Sequence, residues 1–157
     1  WLITPRQTKI ASKQISNASG ARVENTRVEQ YIKQIPIEIK ALKAIAALDV
    51  DNSAEIVNKI IGLFLENLDK EIALIVGSPV HDVEKIRRIA HSLKSSCANV
   101  GAQKLSELCK QLELRIKTQS GEEIQTLISE IETESQHVKD FFLNNNITSI
   151  LLIEEQS

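Results

Sequence analysis

One histidine, His91, has an unusual set of neighbours one helical turn before and after it in the 157-residue sequence. Residues three and four positions apart lie on the same side of an α-helix, so their side chains are close together. At these spacings His91 has three cationic neighbours and one small polar neighbour: Arg87, Arg88, Lys94 and Ser95. A neutral imidazole is a nucleophile, and phosphoryl transfer requires mainly positioning and cations that neutralise the phosphoryl oxygens. The pattern indicates a histidine that accepts a phosphoryl group, with Lys94 as a mobile cation and Ser95 leaving room for the group.

The surrounding periodicity predicts that His91 is exposed to solvent. The residues at core-facing spacing in this segment are Ile86, Ala90, Leu93 and Cys97. Because a helix turns by about 100° per residue, His91 lies roughly 130° from the centre of that apolar face. Nearby cations disfavour protonation of an exposed imidazole, which keeps it nucleophilic.

A histidine on an exposed helix face often has no chemical role, and the residues alone leave this interpretation open for His91. It is the preferred interpretation for His81, in a predicted turn, and for His137, on a polar helix. Cys97 and Cys109 lack the spacing of metal ligands and are expected to be reduced core residues, so no metal site is predicted.

Apolar residues that recur every three or four positions predict the helices that must hold His91 in place. These are a short helix at 37–48, long helices at 53–76 and 82–98, and two more through 105–116 and 124–142. Asn52 with Glu55, and Ser120 with Glu123, resemble capping boxes that start helices, and Gly101 suits a helix end. Helices joined by short turns predict an all-α fold: an up-and-down antiparallel four-helix bundle with a short N-terminal cap helix.

Composition divides the chain into three parts and excludes two classes of function. Residues 1–35 are polar and lack periodicity, which predicts a linker; residues 36–146 form the bundle, and residues 147–157 a tail. Because the sequence opens with Trp1, we interpret it as a piece of a longer protein. The net charge of -2 and the lack of a basic tail argue against nucleic-acid binding. No apolar run approaches the roughly 20 residues of a membrane helix, so no direct membrane contact is expected.

The sequence around His91 resembles a known family. Residues 90–102 read Ala-His-Ser-Leu-Lys-Ser-Ser-Cys-Ala-Asn-Val-Gly-Ala. This closely resembles the signature of histidine-containing phosphotransfer (HPt) domains, in which Ala-His is followed by Leu-Lys-Gly and, further on, by Gly-Ala. The match continues through Leu105, Leu108, Cys109, Leu112 and Glu113, and the similarity covers about residues 37–143.

The resemblance implies a role for each matching residue. His91 would be phosphorylated on Nε2, and Lys94 would contact the phosphoryl oxygens. The family has a polar residue at the position of Glu113 that hydrogen-bonds the imidazole; a carboxylate there could hold the Nδ1 proton and leave Nε2 free. Ser95 departs from the family, which usually has Gly there, and this puts in doubt the closeness of a partner's approach but not the chemistry.

The resemblance also implies a function. The chain would be a phosphorelay carrier without turnover of its own, accepting a phosphoryl group from a receiver-domain aspartate and passing it to another. Receiver domains would be the partners, with magnesium bound on the receiver only, so the chain itself would need no cofactor. The module would be monomeric and cytoplasmic, within a parent histidine kinase that could itself be anchored in the membrane. In the predicted helix at 53–76, Ile61 and Leu65 make the apolar stripe wider than one core face needs. These two residues would help dock a receiver, or would instead pack against the cap helix.

Both ends of the chain resemble parts of receiver domains, which implies a hybrid sensor kinase as the parent. Trp1-Leu2 resembles the end of a receiver's last helix, and residues 149–155 resemble a receiver's first strand with its acidic cluster. Two other functions stay open. One is the substrate domain of a chemotaxis-type histidine kinase, which shares the histidine motif. The other is a structural or docking bundle in which His91 is unused.

Overall fold

The apolar periodicity of the sequence is realised as helices in the computed structural model, which describes residues 34–152 together with Arg27 and Gln30. Within residues 34–152 the helices are α1 (Ile39–Ala46), α2 (Ser53–Gly77), α3 (Val83–Asn99), α4 (Gln103–Arg115), α5 (Gly121–Asn144) and α6 (Ile147–Leu151). The all-α prediction is confirmed, and the predicted bounds of α2 and α3 are within about one residue of the observed ones. The predicted linker, residues 1–35, lies almost entirely outside the described residues.

The four long helices form the bundle. Helix α2 packs against α3 and α5, and α4 packs against α3 and α5, so each long helix has two long neighbours. The connections between them are short, which makes consecutive helices antiparallel. The core between them is aliphatic, and its largest fully buried side chains are Leu42, Val57, Leu68, Ile75, Ile86, Leu93, Val100, Leu105, Leu112, Ile124, Ile131 and Val138.

The turn between α3 and α4 depends on Gly101. Its φ of 86° lies in the left-handed region, as the sequence predicts for a helix end. The carbonyl of Gly101 accepts a 2.8 Å hydrogen bond from the backbone N–H of Glu38, which places the start of α1 against this turn. A Cβ at position 101 would lie 2.5 Å from the Glu38 carbonyl oxygen. Gly101 therefore allows both the turn and the close approach of α1.

The two predicted capping boxes have different outcomes. Ser120 and Glu123 form one at the start of α5, where each side chain bonds to the other's backbone N–H. Asn52 does not cap α2; its side chain donates to Asp49 instead, so that prediction is wrong. A short polar side chain before a helix can bond to a neighbour in the loop instead of to the first N–H groups of the helix. Here the Asn52 side chain bonds to Asp49.

Helix α2 buries apolar residues on a broad face. Val57, Ile61, Phe64, Leu68 and Ile75 are buried. Ile56, Ile60 and Ile72 are partly buried against the same core. Helix α2 contacts α1, α3, α5 and α6, so it needs apolar residues on more than one side. Ile61 is therefore part of the core and unavailable for docking, and Leu65 is partly buried against the same core.

The C-terminal segment is not the predicted strand as far as the structure describes it. Residues 147–151 form α6, with Ile147 and Ile150 buried and with contacts to α1 and α2. Asn146 caps this helix by accepting a hydrogen bond from the backbone N–H of Thr148 at 2.8 Å. Two isoleucines three positions apart share one helix face, which explains why this short apolar segment docks as a helix. Residues 153–157, with the predicted acidic cluster, lie outside the described residues.

No helix among the described residues is long and apolar enough to cross a bilayer.

Candidate functional site

His91 lies at the middle of α3 and faces solvent. Its side chain is 61% exposed, which confirms the exposure predicted from periodicity. The opposite face of α3 is anchored in the core by Ile86, Ala90, Leu93 and Cys97, all fully buried. The helix is therefore held on one side while the imidazole remains accessible on the other.

Glu113 on α4 joins His91 and Lys94 through one carboxylate. Its Oε1 lies 2.7 Å from Nδ1 of His91, and its Oε2 accepts a 2.7 Å hydrogen bond from Nζ of Lys94. The contact with His91 is the one that the family resemblance implies. The contact with Lys94 is additional, and it places a cation beside the imidazole. The Glu113 side chain is 14% exposed and the imidazole is 61% exposed, so the carboxylate is largely covered while the ring is open to solvent.

The charge on Glu113 assigns the imidazole tautomer. The pKa of Glu113 is lowered, first by the hydrogen bond from Lys94 and then by the one from His91. An ionised carboxylate only accepts hydrogen bonds, so Nδ1 of His91 must donate the proton in this contact. In the neutral ring Nε2 then carries the free lone pair and points away from Glu113. This assignment comes from the hydrogen-bond network.

The other predicted site residues are not gathered around the imidazole. Arg87 pairs with Glu84 at 3.2 Å, and Nε of Arg88 contacts the Glu84 carbonyl at 3.4 Å. Lys117 pairs with the same Glu84 carboxylate at 3.0 Å, and the pKa of Glu84 is lowered first by Lys117 and then by Arg87. The structure holds both arginines toward the start of α3, whereas Lys94 lies beside His91.

Ser95 is exposed on α3, one turn after His91, as expected for a small residue beside the reactive group. The carbonyl of Lys94, the residue before it, accepts a 2.8 Å hydrogen bond from the buried Ser106 hydroxyl of α4. This contact links α3 to α4 directly beneath the site. Ser106 was not predicted as part of the site, since a serine inside an apolar stripe carries no signal of its partner.

Two thiols lie further inside the same α3–α4 interface. Cys97 and Cys109 are buried and free, as predicted. The pKa of the Cys97 thiol is raised, first by its contact with Cys109 and next by burial. The Cys97 thiol therefore stays protonated, and both cysteines act as small core residues.

A second acidic residue reaches α3 from the opposite side. Glu71 on α2 accepts a 3.0 Å hydrogen bond through Oε1 from the hydroxyl of Ser92, which directly follows His91. Its Oε2 is buried and has no hydrogen-bond partner. No pattern in the sequence marks Glu71, because its position facing α3 depends on how two helices pack.

His137 has a local arrangement like that of His91. Its Nδ1 lies 3.3 Å from Glu134, which also pairs with Lys104 at 3.1 Å, and its side chain is 58% exposed. The shallow surface around it is lined by Glu132, Thr133, Gln136, His137 and Asp140, so it includes two further carboxylates. No group of three potential metal ligands occurs among the described residues.

Comparison with known proteins points to one family. Residues 59–141, more than half of the chain, match the family described as Hpt domain. The chain is 29% identical over 104 residues to histidine-containing phosphotransfer protein 2 of rice (Oryza sativa subsp. japonica). That alignment covers 64% of this chain and 66% of the rice protein, just under two thirds of its length.

A solved rice structure described as a histidine-containing phosphotransfer protein superposes with a TM-score of 0.61. The superposition covers 84% of this chain and 98% of the rice chain, at 20% sequence identity. At this identity the likeness shows the fold alone, and it agrees with the helical bundle predicted from the sequence.

Proposed function

Because this chain belongs to the Hpt family, we propose that it is a histidine phosphotransfer module of a two-component phosphorelay and that His91 is its phosphoacceptor. One observation carries the assignment to His91. A single carboxylate, Glu113, holds Nδ1 of the exposed imidazole and also holds Lys94 beside it, each at 2.7 Å. This combination supplies an accessible nucleophile, its tautomer and a nearby cation.

The proposed reaction moves a phosphoryl group from a receiver aspartate to His91. The lone pair of Nε2 attacks phosphorus, the acyl P–O bond breaks, and its electron pair returns to the aspartate oxygen. The ring keeps its Nδ1 proton and becomes positively charged, so the adjacent Glu113 carboxylate stabilises the product. The same steps in reverse deliver the group to the next aspartate.

Lys94 is the residue proposed to meet the phosphoryl oxygens. In the unphosphorylated chain its ammonium is bound to Oε2 of Glu113, the same carboxylate that contacts the imidazole. A lysine side chain is long and has several rotatable bonds, so the ammonium can turn from Glu113 to a group on Nε2. Arg87 and Arg88 are proposed to contribute only to the positive potential for an approaching phosphorylated partner.

The remaining parts of the proposal concern the setting of the module. It acts as a carrier without turnover of its own, and its partners are receiver domains that bring the magnesium. The parent is proposed to be a cytoplasmic or membrane-anchored hybrid histidine kinase in which the module is monomeric. The absence of a bilayer-spanning helix in residues 34–152 is compatible with this setting.

A phosphoryl-transfer assay with two histidine variants tests the proposal. Receiver domains labelled with radioactive acetyl phosphate are mixed with the wild-type chain, with His91→Gln and with His137→Gln. His137 is the matched control, because it is equally exposed and also contacts a glutamate and, through it, a lysine. Label should appear on the wild type and on His137→Gln, and it should be absent from His91→Gln. Label that persists in His91→Gln, or that never appears on the wild type, would refute the proposal.

A further inference from the structure

The carboxylate of Glu71 is an unusual feature of the α2–α3 interface. Its Oε1 accepts the Ser92 hydroxyl at 3.0 Å, whereas Oε2 is buried without a hydrogen-bond partner. Among the described residues it is the one buried side-chain polar atom in this condition. Burying a polar atom without a partner is costly, so its presence next to the site residue His91 calls for a physical reason.

No cation pairs with Glu71 among the ion pairs of the described residues. The two other acids near the site are both paired, Glu113 with Lys94 and Glu84 with Arg87 and Lys117. The unpaired negative charge of Glu71 therefore acts on its surroundings. The pKa of the Cys97 thiol on the inner face of α3, raised mainly by Cys109 and by burial, is raised further by this charge.

Phosphorylation changes the net charge beside Glu71. In the proposed reaction neutral His91 becomes a positively charged ring that carries a doubly negative phosphoryl group, which is a gain of one net negative charge. Ser92 is the next residue in the chain, and its hydroxyl is in contact with Glu71. Because the two negative charges of the phosphoryl group outweigh the single positive charge of the ring, the negative charge of Glu71 disfavours the phosphorylated form of His91.

We propose that Glu71 is a positioning residue whose uncompensated charge lowers the stability of phosphorylated His91 and so drives the phosphoryl group toward a receiver aspartate. This inference rests on the proposed function. A single uncompensated charge near a protein surface shifts such an equilibrium by about threefold or more. Glu71 touches none of the reacting atoms, and its charge is held in the α2–α3 interface, where Oε2 is buried.

The test measures how the phosphoryl group divides at equilibrium between His91 and a receiver domain phosphorylated with acetyl phosphate. Glu71→Gln removes the charge and keeps an oxygen for Ser92, and Glu71→Met removes both. Each should raise the ratio of phosphorylated His91 to phosphorylated receiver by about threefold or more. Ser92→Ala keeps the charge and should leave the ratio unchanged. Glu66→Gln is the matched control, because Glu66 is an exposed acid on the same helix that pairs with Lys70.

The outcomes separate a charge effect from a structural one. If Glu71→Met and Ser92→Ala shift the ratio together while Glu71→Gln does not, the hydrogen bond alone matters and the inference is wrong. An unchanged ratio in both Glu71 variants, with melting curves showing that they are folded, also overturns it. Failure of the proposed function would give a different result. The wild-type chain itself would then take up no label, and there would be no ratio to compare among the variants.

Discussion

At the scale of single residues, His91 and His137 have similar local contacts, although only His91 is the proposed phosphoacceptor. Each imidazole offers Nδ1 to a glutamate that also binds a lysine. The difference lies in the remaining charges. The surface around His137 is lined by two further carboxylates, which would repel a phosphoryl group, whereas Arg87 and Arg88 lie toward the start of α3 and add positive potential on the side of His91. Charge around the ring, rather than the ring's own contacts, distinguishes the two.

Replacing Lys94 by Ala should slow phosphoryl transfer to His91 by about tenfold or more, because a cation that meets the phosphoryl oxygens contributes on this scale. The bundle should stay folded, since the Lys94 side chain is 29% exposed and lies outside the core. Rapid-mixing measurements of label transfer, together with thermal melting, check both statements.

Lys104→Ala is the control for this prediction, because Lys104 also pairs with a buried glutamate but lies beside His137. It should transfer at the wild-type rate. Wild-type transfer in Lys94→Ala would remove Lys94 from the mechanism.

At the scale of elements, the site depends on how α3 and α4 are joined. The turn at Gly101 brings α4 back along α3, so that Glu113 reaches a histidine 22 residues earlier in the chain. The Ser106 hydroxyl bonded to the Lys94 carbonyl fixes the two helices near the same level. The geometry of the site is therefore a consequence of the turn and of the packing below it.

Gly101→Ala should lower the free energy of unfolding by about 1–3 kcal/mol, because a left-handed φ and a close contact both penalise a Cβ. Gly62→Ala is the matched control: Gly62 lies within α2, and a Cβ there meets no atom within 4 Å. Alanine at that position should instead stabilise the protein by about 0.5–1 kcal/mol. Urea denaturation of both variants measures the two effects. Equal changes in both would show that the turn carries no strain.

At the scale of the whole molecule, α1 and α6 complete the bundle at one end. Both pack on α2 and on each other, and α1 also meets the α3–α4 turn through Glu38. The segment after residue 146 therefore contributes to the bundle as far as residue 151, rather than belonging only to a tail.

Ile150→Ala should destabilise the bundle by about 2–4 kcal/mol, since Ile150 is 3% exposed and its removal leaves a cavity. Leu152→Ala, at a position 76% exposed, should change the free energy of unfolding by less than about 0.5 kcal/mol. Thermal or urea unfolding distinguishes them. An Ile150→Ala variant as stable as wild type would show that α6 does not pack on α1 and α2. The interpretation of this segment as a strand would then remain open.

The sequence by itself determined the helices, the burial of one face of α3 and the exposure of His91. These are properties of local periodicity, because each helix turns by a fixed angle per residue. The contact of Glu113 with His91 was accessible only through a family resemblance, and the helical form of α6 was not predicted correctly. The tertiary structure alone decided which helices face each other, and so which partners meet. Glu113 with Lys94, and Glu71 with Ser92, are separated by 19 and 21 residues, and such pairs form only when separate helices pack.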